Sequence, residues 1–362
     1  MISPKAIVNI KNFRHNINYV KSLLDKSDIY PVVKANAYGH GYKKICEVLF
    51  DEGIKCVCVA TVKELKNIIN LNLPIDILHL GKICLSNIDL YYNKKVIATI
   101  NSIEDVENIN LIRGINNKIR CHLKIDTGMS RMGCEYQDFK NIIDKLDSSD
   151  KINFEGIYSH LACSENKNSN ENLHQIDLFQ KIIEFTNDIN IKYHLLNSGG
   201  VFNYNKYKLD YARIGIALYG INPIGEINNN LRPVMKLVAP VVLIKTINKG
   251  DKIGYGCTYI ANNKMKIGIV QCGYADGIPI SFSNKGAVYY NKDSYPILGK
   301  ISMDLICVDF SSSAIKVLDE VVIWGDDNVE NRLETISNKF NNNPYVFLTS
   351  VSERVERIYV EE

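Results

Sequence analysis

The chain has little net charge, no long apolar run and no dinucleotide-binding signature. Of its 362 residues, 43 are Lys or Arg and 40 are Asp or Glu, leaving +3 at neutral pH. That excess is too small to argue for nucleic acid or a membrane surface as a partner. No apolar run approaches the roughly 20 residues that span a bilayer. Met1-Ile2-Ser3-Pro4-Lys5 does not open a secretory signal. A soluble, cytoplasmic protein is expected. The ten cysteines lack the paired spacing of metal ligands and sit mostly inside apolar runs. They read as free thiols in a reducing compartment, with no metal site. No G-x-G-x-x-G follows the first strand pattern, which argues against an open dinucleotide-binding sheet. Internal repeats and low-complexity linkers are also missing. The apolar share of 46% and charged share of 23% are those of an ordinary globular chain. Its length exceeds what one core usually supports, so two domains are expected.

From residue 30 to about 220, short β-branched runs alternate with helical patterns. Strand patterns fall at 30–33, 56–61, 76–81, 96–100, 119–126, 154–160, 193–197 and 211–214. Helical spacing falls between them, for example at 62–72, 103–112, 137–146 and 173–185. Eight such alternations point to an α/β fold, a (β/α)8 TIM barrel over 1–225. After about 225 the pattern becomes short strands separated by Gly, Asn and Asp turns, with helical spacing only at 332–340. A mostly β C-terminal domain over 226–362 is expected, with a β ending over 345–360.

Barrel enzymes build their sites at strand C-termini. Here those ends read Lys34, Thr61, Gly81, Ile100, Asp126, His160, Asn197 and Arg213. Lys34 closes a buried strand, where its ammonium needs a partner or its pKa must fall. A neutral lysine is what Schiff-base chemistry uses, although a solvated strand end looks the same in sequence. Lys124 and Arg131 flank the fifth strand end, a pattern that also fits a salt bridge. A lone His160 fits a core histidine as well as a catalyst. Asn197-Ser198-Gly199-Gly200 and Arg213-Ile214-Gly215-Ile216 follow strands seven and eight, whose loops commonly hold phosphate in barrels. Most Ser-Gly-Gly turns are only turns.

The string Val32-Val33-Lys34-Ala35-Asn36-Ala37-Tyr38-Gly39-His40-Gly41 closely resembles the cofactor-lysine motif of the bacterial alanine racemase family. The family more often has Asp at the Asn36 position. His122-Leu123-Lys124-Ile125-Asp126-Thr127-Gly128-Met129-Ser130-Arg131 resembles its lysine–arginine motif. Lys252-Ile253-Gly254-Tyr255-Gly256, Cys272-Gly273-Tyr274-Ala275-Asp276-Gly277 and Ile301-Ser302-Met303-Asp304 resemble three more.

The resemblance implies pyridoxal 5'-phosphate on Lys34 and a two-base alanine racemase whose D-alanine serves peptidoglycan. By the same likeness, Tyr38, Ser198, Gly215, Ile216 and Tyr345 hold the phosphate. Asn197 and His160 belong to the cofactor pocket, and Arg213 faces the pyridine nitrogen. Arg131 binds both the phenolic oxygen and the substrate carboxylate, and Lys124 is a candidate for carbamylation. Tyr255 is the second base, supplied across a homodimer with shared sites. Tyr274 and Met303 line the substrate end. The family often has Pro-Arg after Gly277; this chain has Ile278-Pro279-Ile280, which removes a charge there. A serine racemase, a fold-related decarboxylase and a non-catalytic cofactor carrier are the competing readings.

Overall fold

The computed structural model describes residues 3–113, 117–326 and 328–361. It divides into two compact units. One comprises Ile17–Ala37 and Tyr42–Leu218; the other comprises Met1–Asn16, Tyr38–Gly41 and Tyr219–Glu362. The division is therefore not a single cut in the chain.

The first unit is a nearly closed barrel of eight parallel strands. In chain order they are Asp28–Pro31, Cys56–Val59, Asp76–Lys82, Val96–Ile100, Ile119–Asp126, Ile152–Tyr158, Lys192–His194 and Tyr211–Ile214. Each pairs with its sequence neighbour, and the eighth pairs with the first. The first and second are joined by one bridge, Val32 to Cys58, where Val33 N–H donates to Cys58 O at 2.9 Å. Cys56–Val59 and Val96–Ile100 are buried at every position. This is why they read as unbroken apolar runs: helices cover one face and the barrel interior the other. Helices follow the strands, several with side-chain caps. Thr61 and Glu64 form a reciprocal capping box on Val62–Ile69, and Ser102 caps Ile103–Leu111.

Four strands stop short of the ends of their patterns: the first at Pro31, the second at Val59, the sixth at Tyr158 and the seventh at His194. The sixth stops at Tyr158, two residues before His160, because a buried side chain on the Asn170–Phe185 helix captures the departing backbone. Gln175 Nε2 donates to His160 O at 2.9 Å, and Gln175 Oε1 accepts from Ala162 N–H at 2.8 Å. The seventh stops at His194, and Asn197 caps the short Ser198–Asn203 helix.

In the second unit, Met235–Ile247 is the spine of an eight-stranded sheet. Its first half pairs with Lys5–Asn9 and Glu320–Trp324, and its second half with Met265–Val270. Because Met265–Val270 also follows Ile306–Asp309, Asp293–Leu298 and Ala287–Tyr290 around to Glu320–Trp324, six strands close on themselves. Lys5–Asn9 and Glu356–Val360 pair in parallel outside that ring, bringing the two ends of the chain into one sheet. Gly268 is fixed by packing, since a Cβ there would lie 2.5 Å from the Phe310 ring. Asp293–Leu298 pairs with Ala287–Tyr290 in a hairpin that turns on Asn291 and Lys292, both with positive φ. The β ending expected over 345–360 begins as a helix, Pro344–Ser350. Asn343 caps it and Pro344 sits in its first turn, so Glu356–Val360 alone is strand.

Candidate active site

Lys34 follows the first barrel strand and opens an uncommon turn. Ala35, Asn36, Ala37 and Tyr38 all take left-handed backbone angles, with φ of 51°, 56°, 53° and 51°. For a residue with a Cβ this costs about 1–2 kcal/mol each, so local bonds must hold it. Ala37 N–H donates to Val33 O at 2.9 Å, and Tyr42 N–H donates to Asn36 Oδ1 at 2.9 Å. The bond to Tyr42 needs only an oxygen acceptor, which explains why Asn can replace the Asp common in the resembled family. Burial and then Arg131 lower the Lys34 pKa, while Glu64 raises it.

Arg213 is buried at the eighth strand end. Its Nη1 donates to His194 Nδ1 at 2.7 Å and to His194 O at 3.0 Å. Its Nη2 donates to Ser159 O, to His160 Nδ1 at 3.1 Å and to Leu195 O at 3.2 Å. A guanidinium only donates, so both imidazoles accept through Nδ1 and carry their proton on Nε2. His194 Nε2–H then donates to His122 Nδ1 at 2.8 Å. Burial and the Arg213 charge hold His160 and His194 well below the usual histidine range. Burial, Arg120 and Arg213 take His122 down to about 3. The imidazoles are thus neutral, and the positive charge of the chain resides on Arg213. Tyr158 stacks on His194 at 4.7 Å and lies under the guanidinium at 4.8 Å.

The fifth strand end presents Lys124 and Arg131. Burial, then Arg131 and Arg213, bring Lys124 down to about 8. Asp126 builds the loop that carries Arg131. Its Oδ1 accepts from Gly128 and Met129 N–H, both at 2.8 Å, and its Oδ2 from Arg131 N–H at 2.9 Å. Burial opposes its charge, but these donors outweigh it and hold the carboxyl below the usual range. Gly133 lets this loop close, since a Cβ there would lie 2.7 Å from Asp126 N. The Asp-Thr-Gly-Met string carried the signal for Asp126, because Asx side chains bond backbone a few residues on.

After strands seven and eight, Ser198 Oγ accepts from Gly215 N–H at 3.1 Å. One hydroxyl thus ties the two loops together and keeps its own proton to donate. The adjacent glycines serve packing rather than an open row of N–H donors. A Cβ at Gly199 would lie 2.5 Å from Ser164 Oγ, and Gly200 N–H already donates to Asn197 Oδ1 at 2.9 Å. That bond orients the Asn197 amide with Nδ2 toward His160 Nε2, 3.4 Å away. Both atoms carry hydrogen, so this is a contact and not a hydrogen bond. Ile216 begins the next 3-10 turn. Gln175, His122 and His194 are polar residues here to which the sequence assigned no role.

Lys34, Lys124, Arg131 and Arg213 therefore all lie within electrostatic reach of neutral His160.

The remaining candidates belong to the second unit. Tyr38 is buried and its ring lies 5.8 Å from that of Tyr345. Tyr255 is 73% exposed, between Gly254 and Gly256 at φ of 69° and 71°. Tyr274 and Met303 are neighbours: Tyr274 N–H donates to Ser302 O and Ala275 N–H to Met303 O, both at 3.1 Å. Arg354 bridges the same two loops through Asp276 at 3.0 Å and Asp304 at 2.6 Å. All ten cysteines are free. Among the described residues, no cluster could hold a metal and no helix is long and apolar enough to cross a membrane.

Comparison with known proteins adds an independent line. Family models described as alanine racemase N-terminal domain and alanine racemase C-terminal domain match residues 8–223 and 234–359. Alanine racemase of Halothermothrix orenii is 32% identical, covering 98% of this chain and 96% of its own. The solved alanine racemase of Clostridium difficile 630 superposes with a TM-score of 0.92 at 29% identity, covering 100% of this chain and 96% of its own. That of Bartonella henselae, solved with covalently bound pyridoxal phosphate, gives 0.89 at 30% identity over 99% of both chains. With both domain models matched and the relatives covered nearly end to end, the chain belongs to the alanine racemase family.

Proposed function

We propose that the chain interconverts L- and D-alanine with pyridoxal 5'-phosphate carried on Lys34. The observation that carries this reading is the setting of Arg213. Every hydrogen-bond partner it has is neutral, and no carboxylate among the described residues is bonded to it. A donor-only group against a pyridine nitrogen keeps that nitrogen unprotonated and the ring a weak electron sink. Racemisation favours a weak sink; a decarboxylase or transaminase would want an acid there.

The barrel residues fit such a cofactor. Four cations gather, and the carboxylates acting on the two lysines are Glu64 on Lys34 and Asp126 on Lys124. A phosphate, a phenolic oxygen and a substrate carboxylate supply the missing negative charge. When bound, the cofactor supplies an electron-withdrawing ring that acidifies the Cα–H of the attached amino acid.

The chain's own residues do the rest. Lys34 Nζ, with its lowered proton affinity, takes or returns a proton at one face of Cα. Tyr255 of the partner subunit serves the other face, in a homodimer with shared sites. Ser198, Gly215, Ile216, Tyr38 and Tyr345 hold the phosphate, and Asn197 and His160 complete the pocket. Arg131 pairs with the substrate carboxylate. Lys124, near 8, has the neutral fraction that attacks CO2; carbamylated, it becomes an anion that orients Arg131. Tyr274 and Met303 line the substrate end. Residues 1–225 then supply the cofactor barrel, apart from the Lys5–Asn9 strand and the 38–41 segment that belong to the second unit, and 226–362 form the domain that brings the second base. The exposure of Tyr255, Tyr274, Met303 and Ile280 supports a second copy covering that face. A cytoplasmic role in supplying D-alanine for peptidoglycan follows from the family.

The test is steady-state formation of D-alanine from L-alanine by the cofactor-loaded protein, run beside a panel of small amino acids. Alanine turnover well above serine is expected. Faster serine turnover would make it a serine racemase, CO2 release a decarboxylase, and no turnover a carrier.

A further inference from the structure

We propose that Glu64 is a positioning residue for Lys34, its carboxylate tying the strained backbone just after Lys34 to the first turn of the Val62–Ile69 helix. Glu64 Oε1 accepts from Ala35 N–H at 2.7 Å. Its Oε2 accepts from Ala60 N–H at 2.9 Å and Thr61 N–H at 3.0 Å. Thr61 Oγ1 accepts in return from Glu64 N–H at 3.2 Å. A capping box needs only the exchange between Thr61 and Glu64. The bond to Ala35, from a residue 29 positions away, is additional.

Ala35 is where the left-handed turn begins. Val33 O and Asn36 Oδ1 hold its middle and far side. Among the described residues, Glu64 is the only side chain bonded to the Ala35 backbone, one peptide from the lysine. The same carboxylate opposes burial and Arg131 by favouring the charged form of Lys34. Glu64 therefore acts on both the direction of the lysine and its proton. Gln cannot replace it: one amide oxygen can serve either Ala35 or the Ala60–Thr61 pair, and its NH2 would face a donor on the other side.

The inference rests on Lys34 as the attachment residue, but its test uses the cofactor-free chain and reads no activity. Glu64→Gln is compared with Thr61→Ala, which weakens the cap and keeps the carboxylate. One readout is hydrogen exchange in the Val32–Gly41 peptide. The other is the pH midpoint for acylation of Lys34 by an amine-selective reagent, followed by mass spectrometry. E64Q should raise exchange in that peptide at least tenfold and lower the Lys34 midpoint; T61A should do neither. Wild-type behaviour of E64Q, or equal effects of T61A, would overturn the proposal. If E64Q does not fold, the Ala35 amide of the wild-type chain, resolved by 15N-alanine labelling, decides. It should exchange at least tenfold slower than an unstructured amide, and free exchange would overturn the proposal. Failure of Lys34 to take up cofactor would sink the functional reading without moving these results.

Discussion

Arg213 Nη2 stands 3.1 Å from His160 Nδ1, and only one placement of protons satisfies that contact. The guanidinium must donate, so the imidazole accepts and stays neutral. The same holds for His194 on the other side. Removing the charge should therefore be visible in the histidines. Arg213→Gln should raise the proton affinity of His160 and His194 toward the ordinary value of 6.5. Imidazole 15N shifts across a pH titration would report it. Racemisation should fall by ~100-fold or more, as for loss of a group tuning proton transfer. Histidine resonances that do not move would contradict the proton assignment.

Lys124 links stability to pH. Its ordinary value of 10.5 falls to about 8 in the folded chain. Between those values the unfolded chain holds the proton and the folded chain has released it. Stability should then rise with pH across that window and be lowest below it, where the folded chain must bury the charge. The effect is on the order of 3 kcal/mol. In CO2-free buffer, denaturant midpoints of wild type should climb relative to Lys124→Met from about pH 8 to 10.5. Parallel curves would show that Lys124 titrates normally.

Shared sites are tested by mixing two inactive chains. On the proposed assignment, Lys34→Ala lacks the attachment point and Tyr255→Phe lacks the second base. After subunit exchange, a heterodimer should regain one intact site of two and a measurable fraction of wild-type rate. No recovery after verified exchange would place both groups in the same chain's site.

Tyr345, whose ring lies 5.8 Å from that of Tyr38, is expected to limit the substrate side chain. Tyr345→Asn should open space and add a polar group, raising serine turnover relative to alanine roughly 10-fold or more. Competition assays give the ratio directly, and an unchanged ratio removes Tyr345 from the pocket wall.

The barrel was legible because eight short apolar runs alternate with helical patterns, several of them running into a polar residue such as Lys34, Asp126 or Arg213, and the phosphate-loop candidates were legible from Ser198 and Gly215. What escaped depends on contacts distant in sequence. Asn36 tolerates positive φ, but the alanines on either side disfavour it and so hide the turn, which is held in part by Glu64, 29 residues on from Ala35. His122 reads as one more strand residue. It meets His194 only because the sheet register sets Lys124 against Tyr158 and Tyr158 against His194. Gln175 lies inside a helical pattern in which nothing marks it as buried against the end of strand six.

In the proposed function two different groups serve the two faces of Cα, Lys34 for the D-enantiomer and Tyr255 for the L-enantiomer. The most direct measurement is deuterium exchange at Cα by cofactor-loaded Tyr255→Phe in heavy water, followed separately from each enantiomer. Net racemisation should fall by orders of magnitude in both directions, because the overall equilibrium cannot change. D-Alanine should still take up deuterium with retention through Lys34, while L-alanine exchanges far more slowly. Equal residual exchange from both enantiomers would mean a single mobile base or solvent, and would contradict the assignment of Tyr255.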